Sequence, residues 1–285
     1  MASELTKRVA VAAVGVPLAV LVVYLGGWIL AVVLAGIAAA GAAEVYRIAR
    51  ERGVRPFAAA GAVLAVIPVL LTMATPAAEV WAWRVFIVMS LVIAAAAIFR
   101  RGVQGAPLTV TAVTVFGALF TGGTLLYGML LRLMMVPAAH ADWSRWVGPA
   151  LLAFPITLTW LGDTFAYFGG RSFGRRKLIA AVSPAKTVEG ALSGVIGTTI
   201  VGAVYAHFVF GMWLGVPMSA GVGALIGLVV SPVAQTGDLV ESLLKREAGV
   251  KDSGTLLPGH GGVLDRFDAL FFSIPVTYWL LTLVL

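Results

Sequence analysis

The chain is written as runs of roughly 17–25 apolar residues separated by short basic loops, and this pattern constrains the fold more than any other feature. Nine candidate spans can be drawn, at about 9–26, 28–46, 56–74, 80–99, 107–131, 147–168, 187–211, 219–241 and 267–285. Twenty residues rising ~1.5 Å each cover about 30 Å, the thickness of a bilayer's hydrocarbon core. Hydrophobic residues make up 60% and charged residues 12% of the sequence, and the mean hydropathy is +1.00. A soluble domain carries about a quarter charged residues, so that class is excluded. The expected fold class is all-α: a polytopic integral membrane protein of about nine transmembrane helices. The opening MASELTKRVAVAAVGVPLAV has a short basic flank but no convincing small-residue cleavage site, and is read as a retained first span. With no cysteine, disulfides and thiolate metal sites are excluded.

Charge predicts the orientation. With the N-terminus inside, seventeen of the twenty Lys and Arg residues fall in cytoplasmic segments, and only Arg84, Arg132 and Arg145 fall outside. Cytoplasmic loops carry the Lys/Arg excess. The net charge of +7 is therefore mostly a topology signal and gives no support for nucleic-acid binding. The same loops would attract anionic headgroups of a lipid bilayer. The expected location is the inner (plasma) membrane of the cell, multi-pass.

Residues 1–145 are Ala/Val/Leu-rich with their charge at span ends, and read as scaffold and lipid access. Within them, Glu44 lies three residues before Arg47, which predicts a surface ion pair on one helical face. Residues 146–285 differ. Asp163 sits in LTWLGDTFAYFGG, Glu189 in KTVEGALSG, and Asp238 with Glu241 in SPVAQTGDLVESLLKR. An Asp at a helix centre costs ~2.5–3.5 kcal/mol on insertion scales, so acids at or inside span boundaries are candidates for function.

Three constellations follow. Asp238, Glu241, Ser242 and Lys245 have offsets of 0, 3, 4 and 7 and share one helical stripe, either a neutralised helix–helix contact or the wall of a water-filled site. The segment 247–264 is glycine-rich, so its backbone N–H groups can approach phosphates, and it ends at Asp265 in an N-cap position with Asp268 three residues on. The two carboxylates either cap the helix or hold a hard divalent cation, which takes one or two carboxylates together with waters and phosphate oxygens. Lys251, Asp252, His260 and Arg266 crowd the same stretch, where His260 is either a loop hydrogen-bonding residue or a general acid/base. Finally, Arg171, Arg175, Arg176, Lys177 and Lys186 punctuate a Gly/Ser/Pro loop over 169–190, as a positive-inside anchor or an anion cradle. Together these features point to membrane-embedded handling of phosphates with a divalent metal at the cytoplasmic face.

The stretch SLLKREAGVKDSGTLLPGHGGVLDRFD, Ser242 to Asp268, resembles the signature of the CDP-diacylglycerol synthases, or phosphatidate cytidylyltransferases. Ser242, Lys245-Arg246, Lys251-Asp252, Gly254, Pro258, His260-Gly261-Gly262 and Asp265-Arg266-Phe267-Asp268 stand at its fixed positions. GDTFAYFGGRSFG and SPAKTVEGALSG are similar to the family's middle motifs, so roughly residues 155–285 carry the resemblance. Ala185 stands where the family often has the first of two lysines, leaving Lys186 as the expected phosphate contact. The resemblance implies that CTP and phosphatidic acid give CDP-diacylglycerol and pyrophosphate, with Mg²⁺ and a second, monovalent ion such as K⁺. It further implies a metal set of Asp238, Asp265 and Asp268. Lys186, Lys245, Lys251 and His260 join these as catalytic candidates. Asp163, Arg171, Ser183, Ser242, Arg246, Asp252, Gly261, Gly262 and Arg266 are the substrate-binding candidates. A homodimer is carried as an expectation only. Two rivals remain at this point: a CTP- or ATP-dependent lipid or polyprenol kinase, and a secondary transporter. The transporter would place acids near bilayer midplanes and broken helices in both halves.

Overall fold

Gly26 and Gly27, both at positive φ, break what would otherwise be a single apolar rod through the first fifty residues, and the rest of the chain is punctuated in the same manner. The computed structural model describes residues 4–136, 141–254 and 261–285. Within them, α1 spans Glu4–Leu25, α2 Gly27–Glu51, α3 Ala58–Leu71, α4 Ala78–Arg101 and α5 Pro107–Ala118; α6 spans Thr124–Leu133, α7 Ser144–Phe173, α8 Val188–Tyr205, α9 Ala220–Ala248 and α10 Leu264–Thr282. Two π-helical segments, Leu119–Gly123 and Ala206–Leu214, fuse α5 to α6 and extend α8. Pro107–Leu133 and Val188–Leu214 are thereby continuous rods of 27 residues each.

The expected all-α, polytopic membrane class holds. Among the described residues six helical rods are long and apolar enough to cross a membrane, against the nine spans drawn from the sequence: α2, α4, the two fused rods, α7 and α9. Helix α3 has 14 residues, about 21 Å of rise. Helix α10 has 19 residues, but its first turns carry Asp265, Arg266 and Asp268. The protein's outer faces are apolar in the manner of lipid-facing helices: Phe99 is 88% and Leu108 82% exposed.

The segment 169–190 is not the loop expected from its composition. Helix α7 runs on to Phe173, and an antiparallel hairpin follows, β1 (Lys177–Ile179) with β2 (Ser183–Thr187). Thr187 then caps α8, its Oγ1 accepting from the Gly190 N–H at 3.1 Å. Helix α9 ends in a Schellman arrangement around Gly249 (φ 74°): Val250 N–H donates to the Lys245 carbonyl at 3.0 Å and Gly249 N–H to that of Arg246 at 3.1 Å.

The chain forms two compact units, Met1–Met129 with Leu244–Phe267, and Leu130–Leu243 with Asp268–Leu285. In the first, the buried Tyr46 hydroxyl donates to the Thr114 carbonyl at 2.7 Å, and Gly61 and Gly117 leave room for its ring. In the second, small residues let helices meet backbone to backbone, as membrane helices do for want of a hydrophobic force between them. A Cβ at Gly227 would lie 2.3 Å from the Thr198 carbonyl oxygen, and one at Gly237 would lie 2.6 Å from that of Asp268. Buried Thr159 donates to Ser273 at 2.9 Å.

Candidate active site

In the second unit the close α9–α10 contact at Gly237 sets Asp238 beside the start of the Asp268 segment, while the hairpin brings in Lys186. The Lys186 ammonium lies 2.5 Å from Asp238 Oδ2. Asp163, from α7, and Asp268 each lie within electrostatic range of both Asp238 and Lys186. Asp238 thus pairs with the ammonium directly, and Asp163 and Asp268 feel its charge at longer range. Lys186, Asp163 and Asp238 line a cavity of about 520 Å³ together with Tyr167, Arg171, Thr187 and Gln235. Arg171 donates to the Tyr167 hydroxyl at 3.3 Å, and Gln235 is fixed by the Ala191 carbonyl at 3.2 Å. The Ser242 hydroxyl points back along its helix to Asp238 Oδ1 at 3.4 Å, and Glu241 of the same stripe is buried. Ser183 opens β2, three residues before Lys186. Glu189 accepts from the Arg175 N–H at 2.9 Å and the Arg176 N–H at 3.2 Å, so it holds the start of the hairpin.

The first unit gathers the other signature residues. Lys245 Nζ lies 2.7 Å from Asp265 Oδ1. Asp265 is not the N-cap expected from its position but lies inside the first turn of α10. Its Oδ2 accepts from Ser253 N–H (3.0 Å) and Gly262 N–H (2.7 Å), and lies 2.9 Å from the Ser253 hydroxyl. Both oxygens of this carboxylate are thus engaged, Oδ2 by loop donors and Oδ1 by Lys245. Gly261, at φ 81°, packs on the same carboxylate. Arg246, Lys251, Asp252 and Arg266 present exposed side chains. His260 lies outside the described residues.

The expected surface ion pair between Glu44 and Arg47 is not what α2 builds. Glu44 is buried, with 8% exposure, and its carboxylate takes the N–H groups of Val263 and Leu264 at 2.9 Å each and the Ser253 hydroxyl at 2.8 Å. Arg47 donates instead to the carbonyls of Asp252 (3.3 Å) and Ser253. Sequence reasoning missed Glu44, Arg47 and Ser253. The signal that exposes them is an acid in a span, a placement that requires partners.

A divalent cation fits the donor set of the second unit. Carboxylate oxygens are the ligands such ions take, and one ammonium leaves three carboxylates under-neutralised. Among the described residues no three acid or histidine side chains converge to hold an ion by themselves. Phosphate oxygens and waters would complete the shell, as is usual for Mg²⁺.

Residues 6–284 match the Cytidylyltransferase family. The chain belongs to that family. It is 33% identical to a phosphatidate cytidylyltransferase of Synechocystis sp. over 98% of this chain and 97% of that protein. Over about half of each chain it is 42% identical to one of Haemophilus influenzae (51% and 49%) and 43% identical to one of Bacillus subtilis (48% and 49%). The resemblance drawn from Ser242–Asp268 thus extends over this whole cytidylyltransferase-family chain, into helices where no motif was legible.

Proposed function

We propose that the chain transfers a cytidylyl group from CTP to phosphatidic acid, giving CDP-diacylglycerol and pyrophosphate, at the cytoplasmic face of the plasma membrane. Near-full-length similarity to a relative of that name carries the reading. The Lys186–Asp238 pair in a cavity rimmed by Arg171 supports it, because a triphosphate needs cations held in place.

An oxygen of the phosphatidate monoester attacks the α-phosphorus of CTP in line. The new O–P bond forms as the bond to the β-phosphate oxygen breaks, and pyrophosphate leaves with that electron pair. No protein nucleophile is required, so the residues act by positioning and charge stabilisation. Lys186 and Arg171 hold phosphate oxygens, and Asp163 orients the cavity's cations. Lys245, Arg246, Lys251 and Arg266 contact phosphate groups as the resemblance implies, and Asp252 and His260 complete the set. Asp238 and Asp268 would hold Mg²⁺. When bound, Mg²⁺ neutralises the negative charge of the reacting phosphates.

Purified protein is to be incubated with CTP, phosphatidic acid and Mg²⁺, with lipid product and released phosphates read together. Equimolar CDP-diacylglycerol and pyrophosphate are expected. Release of CDP with a phosphorylated lipid would assign a kinase instead, and no lipid product at all would remove the proposal.

A further inference from the structure

We infer that Glu44, on a helix of the N-terminal half, is a positioning residue for the signature loop, acting through Ser253 on Asp265. The inference rests on the transferase reading for its kinetic part and on geometry alone for its structural part.

A helix start leaves N–H groups unsatisfied, and a Ser, Thr, Asp or Asn just before it normally takes them. Before α10 the chain has Val263, which cannot. Glu44 supplies the cap instead: Val263 N–H donates to Oε1 and Leu264 N–H to Oε2. The loop is shaped around this carboxylate. A Cβ at Gly254 would lie 2.2 Å from Glu44 Oε1, and one at Gly262 would lie 2.3 Å from Oε2. Both glycines of the signature thus leave room for Glu44, and Gly262 leaves room for the Ser253 hydroxyl as well. The Ser253 hydroxyl stands between Glu44 Oε2 (2.8 Å) and Asp265 Oδ2 (2.9 Å). It has one proton, so it serves one carboxylate at a time and couples the two. Arg47, one turn beyond Glu44, holds the carbonyl side of the same loop. Buried partners of a carboxylate that binds substrate or metal fix its rotamer, and losing one typically costs about 10–100-fold in activity or metal affinity.

The test compares full-length wild type, Glu44→Gln and Tyr46→Phe in lipid nanodiscs. Gln keeps the shape of Glu but turns an N–H₂ toward one of the two backbone donors. Tyr46→Phe removes a buried hydrogen bond of the same helix, the one to Thr114, and serves as the stability control. Glu44→Gln is expected to lower kcat per folded molecule by about 10–100-fold and to raise the Mg²⁺ concentration for half-maximal rate. The KM values for CTP and phosphatidate should stay within about threefold. Amide exchange over residues 261–267 should rise about tenfold or more. Tyr46→Phe should lower the melting temperature and leave all of these readouts unchanged. If Glu44→Gln loses only melting temperature, or if the 261–267 amides exchange as in wild type, the positioning role is overturned. If wild type forms no CDP-diacylglycerol, the transferase reading falls, and the exchange data decide the loop clamp on their own.

Discussion

Lys186 illustrates how one charge can hold an otherwise repulsive group together. Its ammonium contacts Asp238 and lies within range of Asp163 and Asp268, all in the second unit. Lys186→Met leaves Asp238 without its ammonium and removes the cation within range of Asp163 and Asp268, so an anionic substrate meets uncompensated negative charge. We expect kcat/KM for CTP to fall by about 10²–10³-fold, the usual cost of removing one stabilising donor, and Lys186→Arg to recover part of it by restoring charge without the point geometry. Initial rates against CTP, normalised to monodisperse protein, decide this; a wild-type rate in Lys186→Met would exclude Lys186 from the site. Asp163 and Asp238 were legible in the sequence because an acid at a span boundary is costly, Asp268 from its pairing with Asp265 at a helix start, and Lys186 from its basic loop and the resemblance. Their pairing was not, since hydropathy does not report which distant acid a lysine meets. Glu44 was misread for the opposite reason. Arg47 three residues away offers a sufficient local partner, and nothing in the local sequence shows that tertiary packing buries Glu44 under a loop more than two hundred positions later.

At the scale of elements, the second unit depends on helices approaching more closely than side chains allow. A Cβ at Gly237 would meet the α10 backbone at Asp268 and Ala269 and the ring of Phe272. In Gly237→Ala the new methyl must displace a carbonyl, which cannot rotate away as a flexible side chain would. We expect activity to fall at least about tenfold and the melting temperature to drop, consistent with the ~1–3 kcal/mol typical of overpacking. Gly36→Ala, on α2 with nothing within 4 Å of the added Cβ, should be neutral or slightly stabilising. Matched thermal melts and rates of the two variants check this. Helix existence and the inner extension of α9 through Lys245 followed from periodicity. The β1–β2 hairpin did not, because KLI and SPAKT are too short to show alternation and sit among Gly, Arg and Pro that mimic a loop. The π-helical stretches are equally silent in sequence, for a five-residue widening leaves the apolar count unchanged.

For the molecule as a whole, the basic loops predict a sidedness that helix geometry alone does not fix. Seventeen of twenty cationic side chains fall on the side read as cytoplasmic, a bias worth orienting the entire bundle. The aromatic cluster of Trp143, Trp146 and Trp213 fits the opposite interface, where indoles sit at headgroup level: Trp143 and Trp146 each lie 5.8 Å from Trp213. The native chain has no cysteine, so single substitutions report position without background. Arg52→Cys, at the exposed end of α2, and Ala74→Cys, in the turn after α3, lie on opposite sides in the nine-span orientation drawn from the sequence, which requires the 14-residue α3 to cross the membrane. A membrane-impermeant maleimide added to intact spheroplasts should label Ala74→Cys and spare Arg52→Cys, and inside-out vesicles should reverse the pattern. Because Arg47 and the signature loop are bonded to each other, labelling of Arg52→Cys also reports the side on which that loop is reached. Cytoplasmic CTP requires that side to be the inner one. Labelling of Arg52→Cys from outside would separate the loop from its nucleotide and would contradict the positive-inside reading and the proposed site together.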